Sequence, residues 1–403
     1  MSPKRFPTLA GGAIGLFALL CAGATALLPA RVEQVARAVE QVRGRRFERV
    51  VPASEIDTAE LKRVLRTKIL EGFPASPDDT IRTLVALGFL EDTPNLVDHL
   101  LDFYASQVIA FYDPQPRRFF LVKGTGSGLP GGDDGELSSE AGERMIFAHE
   151  LTHALQDETL KLDRRLRELK ENGDRALALE SLLEGEATLV MVRVALAQLP
   201  GGQSAEVEES LAPLLTAGAL DRSSVPKEMP AYFVDQLFFP YVEGTAYVRR
   251  LVKASGWGAI DRLWKNPPAS TSEILHEGLD FAPATDLLAP GADRSGPAGY
   301  RALYTDTIGE WGLRFLLRRG MEPAQADPVA AGWRGDRIIF YGSGRAVAYL
   351  WKVRFETPLA AERFERAWKD TRKRGEALAR NGRDVTVMFG FPPPGAGARR
   401  PAG

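Results

Sequence analysis

Apolar residues recur at helical spacing from Glu60 to Leu70 and from Asp79 to Leu87, with Pro74 and Pro77 between the two runs. Residues 31–105 therefore read as helical. The pattern changes at Gln107 to Tyr112 and at Phe119 to Lys123, where β-branched and aromatic residues flank Asp113-Pro114-Gln115-Pro116. That predicts a hairpin. A glycine-rich loop follows from Gly124 to Gly135, then helices over about Ser139 to Leu169 and Ala176 to Gln198. Gly201 to Glu208 is polar and reads as a linker, and a further helix is expected from Val242 to Ser255. Pro267-Pro268 stops the chain. Ser270 and Glu273 then stand at capping-box spacing, for a short helix that carries His276. Residues 282–299 are rich in Pro and Gly and read as a second linker. In 300–391 the pattern predicts a helix at Thr307 to Arg319, strands at Asp336 to Tyr341 and Val347 to Phe355, a long helix from Pro358 to Arg380, and a last strand at Val385 to Phe389. The fold class expected is α+β, mostly helical, with a small hairpin or sheet and a C-terminal α+β unit. The tail at 392–403 is expected to be disordered.

The N-terminus follows a different logic. Lys4 and Arg5 precede an uncharged run from Leu9 to Leu28, and Ala24-Thr25-Ala26 fits a small-x-small cleavage site. Residues 1–30 thus read as a secretory signal peptide. The run is also long enough to act as a membrane anchor if it is not cleaved. The main body is then expected outside the cytoplasm: periplasmic, secreted or anchored at the membrane.

Composition narrows the chemistry. Lys and Arg number 51 against 53 Asp and Glu, a balance that gives no support for a nucleic-acid partner. Cys21 is the only cysteine and lies in the N-terminal run, so a metal in the body must be held by His and carboxylates. The histidines are four: His99, His149, His153 and His276.

His149-Glu150-Leu151-Thr152-His153 is an H-E-x-x-H motif. Positions four apart on a helix lie about 40° apart in projection, so both imidazoles can reach one zinc ion. Glu150 points about 100° away from His149, which lets it act as a general base on water without becoming a ligand. Ala148, Leu151 and Leu155, with Phe147 beside them, oppose the metal face, and Met145 and Ile146 sit one turn before the ligands on the metal side. A helix that is apolar around a His-Glu-His stripe is a buried one, and its buried polar groups need partners. A catalytic zinc wants a third protein ligand. The candidates are carboxylates of Leu182-Leu183-Glu184-Gly185-Glu186-Ala187; Glu184 and Glu186 face about 200° apart, so only one can look at the metal. Glu180, one turn before Glu184, is a candidate to support a ligand. For the oxyanion of a hydrolysed carbonyl, His276 is the first candidate donor, with Tyr241 and Tyr247 as alternatives. His99 reads as structural, and Arg334-Gly335-Asp336 as a chance match to an adhesion tripeptide.

The H-E-x-x-H motif followed by Leu-x-Glu-Gly-x-Ala resembles the gluzincin metallopeptidases, which include thermolysin-like enzymes and zinc aminopeptidases. The resemblance implies Glu184 as third ligand. Ala110 to Pro114, His149 to Gln156, Glu184 to Thr188 and Pro267 to His276 also resemble a family of uncharacterised exported bacterial proteins with this signature. Two departures stand out: the gap from His153 to Glu184 is longer than in the best-known gluzincins, and no G-x-M-E-N signature is present, which argues against an aminopeptidase. The expected division is an N-terminal helical region at 31–92, a metallopeptidase-like catalytic domain at 93–290 and the C-terminal unit at 300–391. The expected activity is zinc-dependent cleavage of a peptide or protein substrate. The rival readings are a catalytically retired scaffold that binds peptides or partners, and a zinc amidase acting on cell-wall material. An intact Glu150 argues against the retired scaffold. The 107–123 hairpin, placed before the catalytic helix, is a candidate edge for holding an extended substrate.

Overall fold

The structure, a computed structural model, describes residues 27–123, 140–199, 225–279, 296–371 and 375–391, with a few residues between them (201–202, 204, 206–210, 222, 283–284 and 287–288). Most of the N-terminal apolar run, the glycine-rich loop and the C-terminal tail lie outside the described residues. Among those described, no helix is long and apolar enough to cross a membrane.

The fold is α+β. Its helical body contains α1 (Leu28–Arg43), α5 (Glu140–Leu160), α7 (Gly173–Leu196), α8 (Ala231–Ser255) and α9 (Trp257–Lys265). Between α1 and α5 come β1 (Ala53–Ile56), α2 (Thr58–Gly72), α3 (Pro77–Leu87), α4 (Leu96–Gln107), β2 (Ala110–Asp113) and β3 (Arg118–Val122). The three strands form one small sheet in the order β1-β3-β2, with β1 parallel and β2 antiparallel to β3. The hairpin is thus where the sequence places it, and β1 is an addition. Four residues are too few to carry a periodic signal. Starts and stops follow ordinary capping chemistry. The side chains of Asp57 and Ser76 accept from the backbone N–H groups of Glu60 and Asp79, and Gly88 ends α3 in the left-handed conformation.

Three helices depart from expectation. The helix expected from Ser139 to Leu169 breaks after Leu160. There Lys161 adopts a φ of 54°, Asp157 accepts from the Leu162 N–H, and α6 (Leu162–Glu168) begins. Helix α8 starts eleven residues before the expected Val242, because it runs straight through Pro240. Loss of one backbone hydrogen bond at a proline is outweighed here by burial of Phe233, Phe238, Phe239 and Tyr241. The helix expected to reach Arg380 ends at Thr371. Residues Ala377–Asn381 are instead an edge strand closed onto the next by a two-residue turn, with Gly382 at a φ of 60°.

The C-terminal unit follows the short α10 (Thr271–Leu275). It comprises β4 (Arg301–Asp306), α11 (Gly309–Arg318), α12 (Pro323–Ala330), β5 (Trp333–Ser343), β6 (Ala346–Phe355), α13 (Pro358–Thr371), β7 (Ala377–Asn381) and β8 (Asp384–Phe389). Its antiparallel sheet has the order β4-β5-β6-β8-β7. β4 and α12 escaped the sequence pattern. The sheet shares one hydrophobic core with α2, α3 and α4, from Leu61, Leu65 and Leu87 to Trp333, Trp351 and Trp368. The helical body has a second core built on α1, α5, α7 and α8, and that core surrounds the H-E-x-x-H helix.

Candidate metal centre

Helix α5 is buried over its central turns. Phe147, Ala148, Leu151, Ala154 and Leu155 pack into the helical core, and the same helix buries His149, Glu150 and His153. Helix α7 brings Glu184 to face them. It can do so because α7 and α8 cross at two glycines. A Cβ on Gly185 would lie 2.2 Å from the Gly244 carbonyl oxygen, and one on Gly244 would lie 2.1 Å from that of Ser181. The glycine beside Glu184 is therefore there for close backbone approach.

His149 Nε2, His153 Nε2 and Glu184 Oε2 converge. The two nitrogens are 3.1 Å apart, and the oxygen lies 3.0 Å from His149 and 3.5 Å from His153. All three residues are buried, and this group can hold a metal ion. Ligands at ~2.0–2.1 Å around a tetrahedral ion stand ~3.3–3.4 Å from one another, which these separations approach. The second oxygen of Glu184 and Oε1 of Glu150 are buried without a hydrogen-bond partner. Buried orphan oxygens of this kind call for a cation or a ligand. Glu150 is held by its other oxygen, which accepts the Tyr112 N–H from β2 at 2.9 Å. The hairpin thus grips the motif's glutamate through its backbone. Tyr112 also donates its hydroxyl to Asp157 at 3.0 Å.

Behind His153 runs a chain of buried polar groups. Gln156 Oε1 lies 2.9 Å from His153 Nδ1, and its amide nitrogen donates to the Leu183 carbonyl and to Glu186 Oε2, each at 3.0 Å. A glutamine oxygen can only accept, so Nδ1 keeps its proton and Nε2 is the nitrogen that gives one up to bind a metal. Glu186 also accepts from Trp264 Nε1 at 2.8 Å and pairs with Arg43 of α1, which reaches on to Asp261 at 2.6 Å. Arg43 is sandwiched by Trp257 and Trp264. Glu184 and Glu186 thus face different partners, as their helical phase requires.

The protein's own groups set the proton affinities. Burial lifts Glu150 to about 8, against the pull of His153 and the Tyr112 N–H. Burial would also raise Glu184, but the charge of His153 and hydrogen bonds from both imidazoles hold it well below the ordinary carboxylate range. His149 is lowered by burial; His153 is raised to about 9, because Glu184 and Glu150 outweigh its burial.

The other predicted residues separate. His276 ends α10 with Nε2 2.8 Å from Glu310 of α11 and with Arg314 nearby. Its partners are those of the C-terminal unit and not the three convergent ligands. Tyr241 packs its ring against His149, with 5.9 Å between centroids. Tyr247 lies against Arg250, and burial and the charge of Glu273 raise it to about 12. His99 is exposed on α4. Glu180 lies beside Glu184 without touching the histidines, and burial lifts it to about 8. Sequence reasoning missed Gln156, Arg43 and Trp264. Gln156 alone left a local signal, since three residues past His153 is the same helix face.

A family model described as a domain of unknown function (DUF8575) matches residues 299–398, the span of the five-stranded sheet, and includes none of the convergent ligands. No curated protein and no solved structure matches the chain.

Proposed function

We propose that this chain is a zinc-dependent peptidase of gluzincin type, with His149, His153 and Glu184 as the metal's ligands and Glu150 as general base. One observation carries the reading: three ligand atoms at nearly tetrahedral spacing, with a fourth carboxylate beside them that is gripped by one oxygen and orphaned at the other. Two imidazoles and a carboxylate are a donor set that zinc accepts in hydrolytic sites. A zinc ion held there supplies Lewis acidity, which polarises a carbonyl and brings the pKa of water towards ~7.

The chain's residues do the rest. The Tyr112 N–H fixes the rotamer of Glu150, so that Oε1 is the atom that takes a proton from the attacking water and returns it to the leaving amine. Gln156 and Glu186 keep His153 in its donor tautomer. For the oxyanion we assign Tyr241, whose ring lies against His149, in place of His276, which is engaged by Glu310. The reading includes export by the N-terminal segment, tested by fusing residues 1–60 to a reporter active only outside the cytoplasm.

Glu150→Gln keeps the size of the side chain and removes the proton acceptor. The variant should keep zinc in metal analysis while cleavage of an unfolded-protein or peptide-library substrate falls by roughly 10²–10⁴-fold. Equal cleavage by both proteins would place the activity elsewhere. Zinc in both without cleavage in either would leave a binding scaffold, and cleavage of cell-wall amides alone would favour the amidase.

A further inference from the structure

Beside the metal centre, between the first half of α7, the start of α8 and strand β4, lies a cavity of about 90 Å³. Leu84, Leu177, Tyr232 and Phe233 give it apolar and aromatic walls, and Glu180 and Asp306 bring carboxyl groups to it. That is room for several waters and for a side-chain head group.

Glu180 is the unusual member. The other acids of α7 are all engaged: Asp174 by Thr271, Glu184 by the histidines, and Glu186 by Gln156, Trp264 and Arg43. Asp306 accepts the Gly173 and Thr307 N–H groups. Among the described residues, no hydrogen bond and no cation acts on Glu180; the charge that reaches it is that of Glu184. Lys170 also lines the cavity, but the charges acting on it are Arg167 and Glu71. Glu180 is partly covered by the protein and lines the cavity, and a partly desolvated carboxylate without a counter-ion attracts a cation. Here the pair is incomplete within the chain. Aromatic faces and a second carboxyl beside it favour a cation and disfavour an anion. Glu180 precedes Glu184 by one helical turn, ~6 Å along the axis, which sets the cavity one turn of α7 from the three convergent residues.

We propose that this cavity is a specificity pocket for the cationic head of a lysine or arginine side chain, with Glu180 as its counter-ion. For the identity of the substrate the proposal rests on the peptidase reading; for the cation it does not. The test uses the full chain and two probes that share a butyl chain, n-butylguanidinium and 1-butanol, titrated by NMR into wild type and Glu180→Gln. The cation should bind wild type roughly 10–100-fold more tightly than the alcohol, the range for a hydrogen bond to a charged group, and Glu180→Gln should abolish the difference. In a peptide library, wild type should favour a basic residue at one position by a similar factor, and the preference should vanish in the variant. Equal binding of both probes to wild type, or a basic preference that survives Glu180→Gln, overturns the pocket. Selective cation binding without cleavage of any peptide upholds the pocket and sinks the peptidase reading. Cleavage with no basic preference does the reverse.

Discussion

Two buried carboxylates sit in very different company. Asp336, on β5, receives the N–H groups of Ile308 and Gly309 and the indole N–H groups of Trp333 and Trp351, each at 2.9 Å. Both of its oxygens are satisfied from within the chain, and it fastens α11 to the sheet. Glu184, equally buried, shares one oxygen between two imidazoles and leaves the other with nothing. The contrast separates two uses of buried charge. A saturated carboxylate is a fastener, complete when the chain folds. An unsaturated one among convergent donors is complete only when something else arrives.

The sharpest way to break this comparison is to neutralise each carboxylate in turn. Glu184→Gln should lower zinc affinity by more than ~10²-fold, beyond the usual cost of altering a ligand's supporting group, and should also lower the melting temperature of the chelator-treated protein, because it breaks the pairs with both imidazoles. Asp336→Asn should leave zinc affinity alone and cost about 1–3 kcal/mol, since an amide cannot accept from all four donors. Chelator competition and thermal unfolding read the two effects, and matching profiles for the two variants would dissolve the distinction. Next in size is Gly185→Ala. Its Cβ meets backbone on α8, which cannot swing aside, so a loss at the upper end of ~1–3 kcal/mol is expected together with weakened zinc binding. Gln156→Leu should be milder: a ~10–100-fold loss of zinc affinity with little change in unfolding, partly restored by Gln156→Glu, which can still accept from His153.

The smallest effect is one of pH, and it belongs to the junction between the two regions. Burial pushes Asp174 and Asp306 up to about 7 from an ordinary 3.8. The folded chain therefore binds these protons more tightly than the unfolded one. The stability they contribute is full below ~pH 4 and is lost as the pH rises through about 7. With chelator present, so that metal binding does not add an opposite trend, the urea midpoint should fall from pH 5.5 to pH 8. Asp306→Asn should flatten that fall; an unchanged slope would assign it to other groups.

The three convergent residues were legible because their logic is local. His149 and His153 are one helical turn apart, and the phase of α7 lets only one of Glu184 and Glu186 face them. The α+β class, the hairpin and most helices followed from periodicity. What stayed hidden depends on pairs remote in the chain. The Tyr112 N–H grips a glutamate 38 residues away, Trp264 meets Glu186 across 78, and Arg43 reaches it across 143. Arg43 reads in the sequence as one of several charges after an apolar run, yet it is almost wholly buried. Pro240 misled in the opposite direction, since a rule about local backbone cannot weigh the aromatic residues that keep α8 whole. Ala377 to Asn381 misled because helix-compatible residues run into an edge strand that only its partner defines.

That same proline bears on how quickly the centre can fill. Its ring leaves the Gln236 carbonyl without the usual helical donor, one residue before Tyr241, which covers His149. His149 and Glu184 are sealed from solvent, so an ion bound there would need a local opening to enter or leave. The turn of α8 that lacks a hydrogen bond is where such an opening would cost least. Affinity and lifetime would then come apart: the donor atoms would set how much ion is held, and the interrupted helix how soon it arrives.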